Sequence, residues 1–296
     1  MASSSAPVQS DVAAPKPTWY VSYEDMKMQP NNHMSFLVLP EGKEYFTEAK
    51  NFLLSGPAKE ALIRSTPANK ALLYTLWGTA KVEIDKTPSG VEFQYVTGFI
   101  PSKENPAQLE DFSFTLKDFR KVLKFPAKPT DTNAYEALPS EDQLIEFLDE
   151  INYKWEDTKS VSSVTRGRMS SEWSYIFAHF IQCLSAKVGS HDQASKVHVQ
   201  MVYSTVKNRK IDWAKLIYDD LLSKLPNDHR KQYVLYPRFL TGVLAGSPRF
   251  AKDNSFPPGN LTYSAIGSNL LSEKKKSTTD VHLRNVIVPA LVDTLT

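Results

Sequence analysis

The residues best suited to chemistry with a partner are basic side chains at helical spacing. Lys117, Arg120, Lys121 and Lys124 recur at steps of three and four, so one helix face carries all four, while Phe119, Val122 and Leu123 occupy the other. A row of ammonium and guanidinium groups on a rigid helix can follow a line of phosphates and release the counterions condensed on them. Lys207, Arg209 and Lys210 make a second cluster at the end of a helical run, and Lys274, Lys275 and Lys276 a third near the C-terminus. The same groups also serve as solvated faces and as cations favoured at helix C-termini. At the level of sequence both readings stay open.

Other reactive residue types fall short of a constellation. His179 and Cys183 lie four apart, with His191 and His198 following, and such side chains can ligate zinc. His179 and Cys183, however, flank the apolar face of a core helix, which points to packing. Tyr218-Asp219-Asp220 superficially resembles a polymerase metal site. That motif needs a residue between the tyrosine and the aspartates and sits on a hairpin, whereas this segment is helical, so the acids read as a solvated face. No phosphate-cradling glycine loop and no Gly-x-Ser-x-Gly elbow occurs. The expectation is a protein that is not an enzyme and holds neither cofactor nor metal.

Composition bounds the class. The chain has 296 residues, 41% hydrophobic and 23% charged, with a net charge of +2. These are ordinary values for a globular protein that can bury a large core, and too balanced to establish nucleic-acid binding. Cys183 is the sole cysteine, so no intrachain disulfide forms, which fits a cytoplasmic or nuclear setting. No run approaches the ~20 apolar residues of a membrane span, so no membrane partner is expected. Aromatic residues make up 11%. Single-strand binders stack bases on exposed rings, but Trp173, Phe177, Phe180 and Trp213 fall at core periodicity, leaving Tyr95 as an exception on a hairpin.

The elements that must position these groups are mostly helical. Ser170 to Leu225 reads as three consecutive amphipathic helices with very short links: one capped by Ser170 and stopped by Gly189, one opened by Asp192, one opened by Asp212. Upstream, helices are expected over Glu44 to Leu54, from Pro57 through Ile63, and over Asn69 to Trp77. The period then switches to two in K-V-E-I-D and V-E-F-Q-Y-V around the turn T-P-S-G, a β-hairpin. Helix returns from Phe114 to Phe125, with Thr115 and Asp118 as a capping box. Ala127 to Pro139 reads as a linker. Ser140 caps a helix through Ile151, Glu156 to Arg168 reads as a polar loop, and Val234 to Ala245 as a last helix. Residues 1–18 read as a disordered tail, 19–130 as an N-terminal helical lobe with the hairpin, 131–250 as a C-terminal helical lobe, and 251–296 as an irregular arm. The expected fold is therefore mainly α: a two-lobed helical protein with one small β-hairpin in its N-terminal half.

Several stretches are similar to a domain found in open reading frames of plant retrotransposon origin, the plant transposon protein family. The matching residues are L-L-Y-T-L-W-G-T-A (72–80), F-T-L-K-D-F-R-K-V-L-K-F-P (114–126), G-S-H-D-Q (189–193), I-D-W-A-K-L-I-Y-D-D-L (211–221) and Y-P-R-F-L (236–240), in that order over roughly the middle two-thirds of the chain. Such elements encode a capsid-like protein, a protease, an integrase and a reverse transcriptase. One cysteine excludes a retroviral zinc knuckle, and the Asp-Thr-Gly or Asp-Ser-Gly triplet of an aspartic protease is absent. Together with the lack of a catalytic constellation, an almost all-helical body with polar tails and the distributed basic clusters, the resemblance leads to the expectation of a structural, capsid- or nucleocapsid-like coat protein that self-associates as a homo-oligomer and binds RNA or another single-stranded nucleic acid. A host-domesticated protein–protein interaction module without nucleic-acid binding is the alternative.

Overall fold

A computed structural model describes residues 32–35, 37–39, 41–64, 70–102, 108–125, 135–225 and 233–247. The expected tail (1–18), the C-terminal arm (251–296) with Lys274 to Lys276, and most of the expected linker lie outside these.

Nine α-helices and five strands follow one another among the described residues. They are α1 (Thr47–Ser55), α2 (Lys59–Ile63), α3 (Lys70–Thr79), β1 (Lys81–Lys86), β2 (Glu92–Pro101), β3 (Leu109–Thr115), α4 (Leu116–Leu123), α5 (Glu141–Glu150), β4 (Val164–Thr165), α6 (Ser171–Cys183), β5 (Gln193–Ala194), α7 (Lys196–Val206), α8 (Trp213–Lys224) and α9 (Pro237–Gly246). The mainly helical, two-lobed expectation is overturned on two counts. About half of the described residues are helical, but about a sixth are in strands that form two sheets rather than one hairpin. The elements on either side of the expected linker also share one core.

The hairpin β1–β2 is extended by β3 into an antiparallel meander, with Val96 opposite Phe114 and Gly98 opposite Phe112. Burial alternates at period two on its inner face: Val96, Gly98 and Ile100 from β2, Phe112 and Phe114 from β3. Phe114 therefore belongs to a strand, and the helix expected from it starts at Leu116. Gly98 lets β2 lie against the end of α3. A Cβ there would come within 3.2 Å of the Ala80 backbone, and Thr79 Oγ1 accepts the Phe99 N–H at 2.8 Å.

A turn of chemistry at residue 115 converts strand to helix. The Thr115 N–H and hydroxyl both donate to Asp118 Oδ2, at 3.1 and 2.8 Å, which closes the reciprocal cap expected there. Phe119 and Leu123 then face inward, and α4 packs on α8 and α9. Phe114, Phe119, Tyr218 and Phe239 form a continuous aromatic cluster across the two expected lobes. Likewise α1 and α2 lie on α6, and α3 on α9.

Helices α6 and α7 are buried on nearly every side, the polar Glu172, His179, His198, Gln200, Ser204 and Thr205 included, so neither keeps the solvated face expected of an amphipathic helix. The links between the three central helices are longer than expected. Helix α6 ends at Cys183, and Gln193–Ala194 form β5, which pairs with β4 in the expected polar loop. Helix α7 starts after Ser195 rather than at Asp192. Buried Arg238 ties the halves together: its guanidinium donates to the carbonyls of Asn32, Ala61, Arg64 and Cys183 at 2.6–3.1 Å.

Candidate nucleic-acid interface

Folding brings both described basic clusters to one place. A cavity of about 910 Å³ opens between α4, the α7–α8 turn and the end of α1. Lys117, Arg120, Lys121 and Lys124 line it from α4 and its C-terminus, and Arg209 and Lys210 from the turn. Lys207 is not among them: its ammonium is held by the Glu150 carboxylate at 2.7 and 2.9 Å. Six of the seven predicted described cations thus surround a single opening, although the two clusters lie some ninety residues apart in sequence.

Each cation is placed by its element. Lys124 sits at the α4 C-cap in the left-handed region, with φ of 49°. Arg120 pairs with Asp212, the side-chain cap of α8, and lies 5.8 Å from the Tyr135 ring. Asp212 is the one carboxylate lining the cavity among the described residues. Arg209 donates to Glu136 Oε2 at 2.7 Å, and the Lys210 backbone N–H to Glu136 Oε1 at 3.0 Å. That backbone N–H, followed by the Arg209 guanidinium, holds the Glu136 carboxyl below its ordinary range. Lys121 lies 3.6 Å from Asp118. Burial acts to raise the Asp118 carboxyl, but the Thr115 bonds and Lys121 outweigh it, and the net direction is down. Lys117, Lys124 and Lys210 make no side-chain ion pair among the described residues, so their charge is available to a ligand.

The interior is of different chemistry. Phe125 stacks on Trp213, centroids 5.7 Å apart and planes inclined by 22°, and Ile211, Ala214 and Pro57 complete the apolar wall. Trp213 is buried, as its periodicity implies, whereas Phe125 and Tyr135 are half-buried. Burial, then the charge of Asp212, pushes the Tyr135 hydroxyl above its ordinary value. Behind the wall, Arg120 Nε and Ser204 Oγ are buried with no hydrogen-bond partner among the described residues. Sequence reading missed Phe125, Tyr135 and Ser204. Proline follows Phe125 in sequence, and nothing in their spacing marks them as neighbours.

The remaining reactive residues are engaged elsewhere. Burial lowers His179 to about 4 and raises the Cys183 thiol to about 12. The Tyr175 carbonyl lies 2.8 Å from His179 Nδ1. Among the described residues no group of three or more His, Cys, Asp or Glu is arranged to hold a metal ion. In α8, Asp219 pairs with Lys215, Asp220 with Lys224 and the Tyr236 hydroxyl, and Tyr218 is buried. A smaller cavity of about 130 Å³ is lined in part by Ser195 and His198. Ser195 Oγ lies 2.8 Å from His198 Nδ1, but the Ser195 backbone N–H shares that nitrogen at 3.0 Å, the pattern of a helix cap. Burial first, and then nearby Lys187, lowers His198 to about 3. The Asp220 carboxylate accepts from Lys224 and from the Tyr236 hydroxyl. Tyr95 is half-buried and neighbours Phe93 at 5.9 Å.

Among the described residues no helix is long and apolar enough to cross a membrane. Comparison with protein-family models, with curated proteins and with solved structures finds no match to this chain.

Proposed function

We propose that this chain is a non-enzymatic structural protein of a plant mobile or virus-like element, which self-associates and coats or carries nucleic acid. The observation that carries the reading is the convergence of Lys117, Arg120, Lys121, Lys124, Arg209 and Lys210 on one cavity with a single carboxylate among its described lining. Lys117, Lys124 and Lys210 make no side-chain ion pair among the described residues, and a polyanion would pair with them and release its counterions. Solvated helix faces need no such convergence. The ordered blocks of similarity to plant mobile-element proteins give the biological setting.

Exposed apolar side chains support the self-association. Ile84 and Val91 are more than 60% exposed and Phe93 is exposed too, all on the β1–β2 hairpin, whose strand β1 is an edge of its sheet among the described residues. Such edges are ready templates for pairing. The same hairpin favours the second reading, an interaction module that binds another protein and no nucleic acid.

An anisotropy titration of a labelled single-stranded RNA across a salt series, with light scattering on the same sample, separates the two. The coat reading expects a linear fall of log affinity with log salt and a mass above the monomer. In the Lys117→Glu/Lys121→Glu/Lys124→Glu variant affinity should fall about tenfold or more, with a shallower salt slope. A monomer that ignores RNA at low salt would end the reading.

A further inference from the structure

The basic cavity carries more than a charge argument. Its rim is cationic, its interior apolar, and its volume of about 910 Å³ is in the range of small-ligand sites. That combination fits an anion with a flat or apolar body. A lipid tail would satisfy the apolar wall, but a nucleobase also offers a planar face to the half-buried rings of Phe125 and Tyr135. Its phosphate would lie at the rim, by Lys117, Lys124 and Lys210.

We infer that this cavity takes one unpaired nucleotide, base inward against Phe125 and Tyr135 and phosphate outward on the lysines. The inference rests on the nucleic-acid reading above and narrows it, because a base held in a duplex stack cannot enter. The ligand chemistry is a nucleobase bearing a phosphate, supplied by a single strand or by a free mononucleotide.

The test is a competition series on the full chain. The probes are a short labelled single-stranded RNA, the same backbone with every base removed, an RNA duplex of equal length, and adenosine and uridine monophosphates. The single strand should bind about tenfold or more tighter than the abasic strand, and tighter than the duplex. Ser55→Trp, at an exposed position on the cavity edge, should abolish the advantage without touching the core. Equal affinity for the based and abasic strands would overturn the inference and leave the nucleic-acid reading standing. Binding of a mononucleotide without binding of any strand would keep the site and remove the coat reading. Binding of none of the probes would remove both.

Discussion

At the scale of single residues, burial decides chemistry more than residue type does. His179 and His198 are the kinds of side chain that titrate near neutrality, yet burial holds both neutral, at about 4 and about 3. Their folded values lie below the ordinary 6.5, so the unfolded chain binds protons first as pH falls. The stability they contribute is therefore whole above about pH 6.5 and is lost progressively between there and pH 4 to 3. At pH 5 each should cost the fold about 2 kcal/mol relative to pH 7. His198→Asn, which keeps an acceptor for the Ser195 cap, should flatten that acid limb in urea unfolding at pH 7 and pH 5. Arg238 carries the larger stake. Arg238→Met leaves four main-chain carbonyls without their shared donor, and about 3 kcal/mol or more of stability should go with it. Urea denaturation at neutral pH measures this directly.

At the scale of elements, the placement of α4 governs the cavity, because four of its six cations come from that short segment. Two contacts set its position. The Thr115–Asp118 cap starts it, and Thr115→Ala should cost about 1 kcal/mol. The other contact is Gly242 of α9, where a Cβ would stand 2.3 Å from Val122 Cγ1. Alanine has the better helix propensity, by about 1 kcal/mol. Valine is stiff at χ1 within a helix, so it cannot step aside, and overpacking of this kind costs about 1–3 kcal/mol. Gly242→Ala is therefore expected to be net destabilising, and Gly242→Ala combined with Val122→Ala to lose less than the two single changes added. A double-mutant cycle in urea reads the difference.

At the scale of the whole molecule, one core predicts one transition. Tryptophan fluorescence and far-UV circular dichroism should follow the same urea curve, because α1, α2, α3 and α4 all pack on helices from the other half. Two separated transitions would restore the two-lobed arrangement. Charge also belongs to this scale. A net charge of +2 says little, but six cations gathered around one opening create a local field that the average conceals. RNA affinity should accordingly respond to salt far more steeply than the net charge suggests, which the salt series measures.

The sequence by itself determined the local elements. Period two around Gly90 marks β1 and the start of β2, steps of three and four mark α1, α4, α6 and α8, and Ser140, Ser170 and Asp212 cap the helices that follow them. These follow from spacing and capping chemistry, which act over a few residues. Where short-range signals competed, they misled: the run from Phe114 to Phe125 reads as helix, but pairing with Val96 places Phe114 in β3. Only the tertiary structure decided the third strand, the fusion of two expected lobes into one core, and the meeting of two basic clusters about one cavity. Each depends on contacts between segments far apart in the chain. The helix phase of Lys117 and Lys124 places them on an outward face, but which turn lies opposite is settled by how Phe119 and Leu123 pack beneath it.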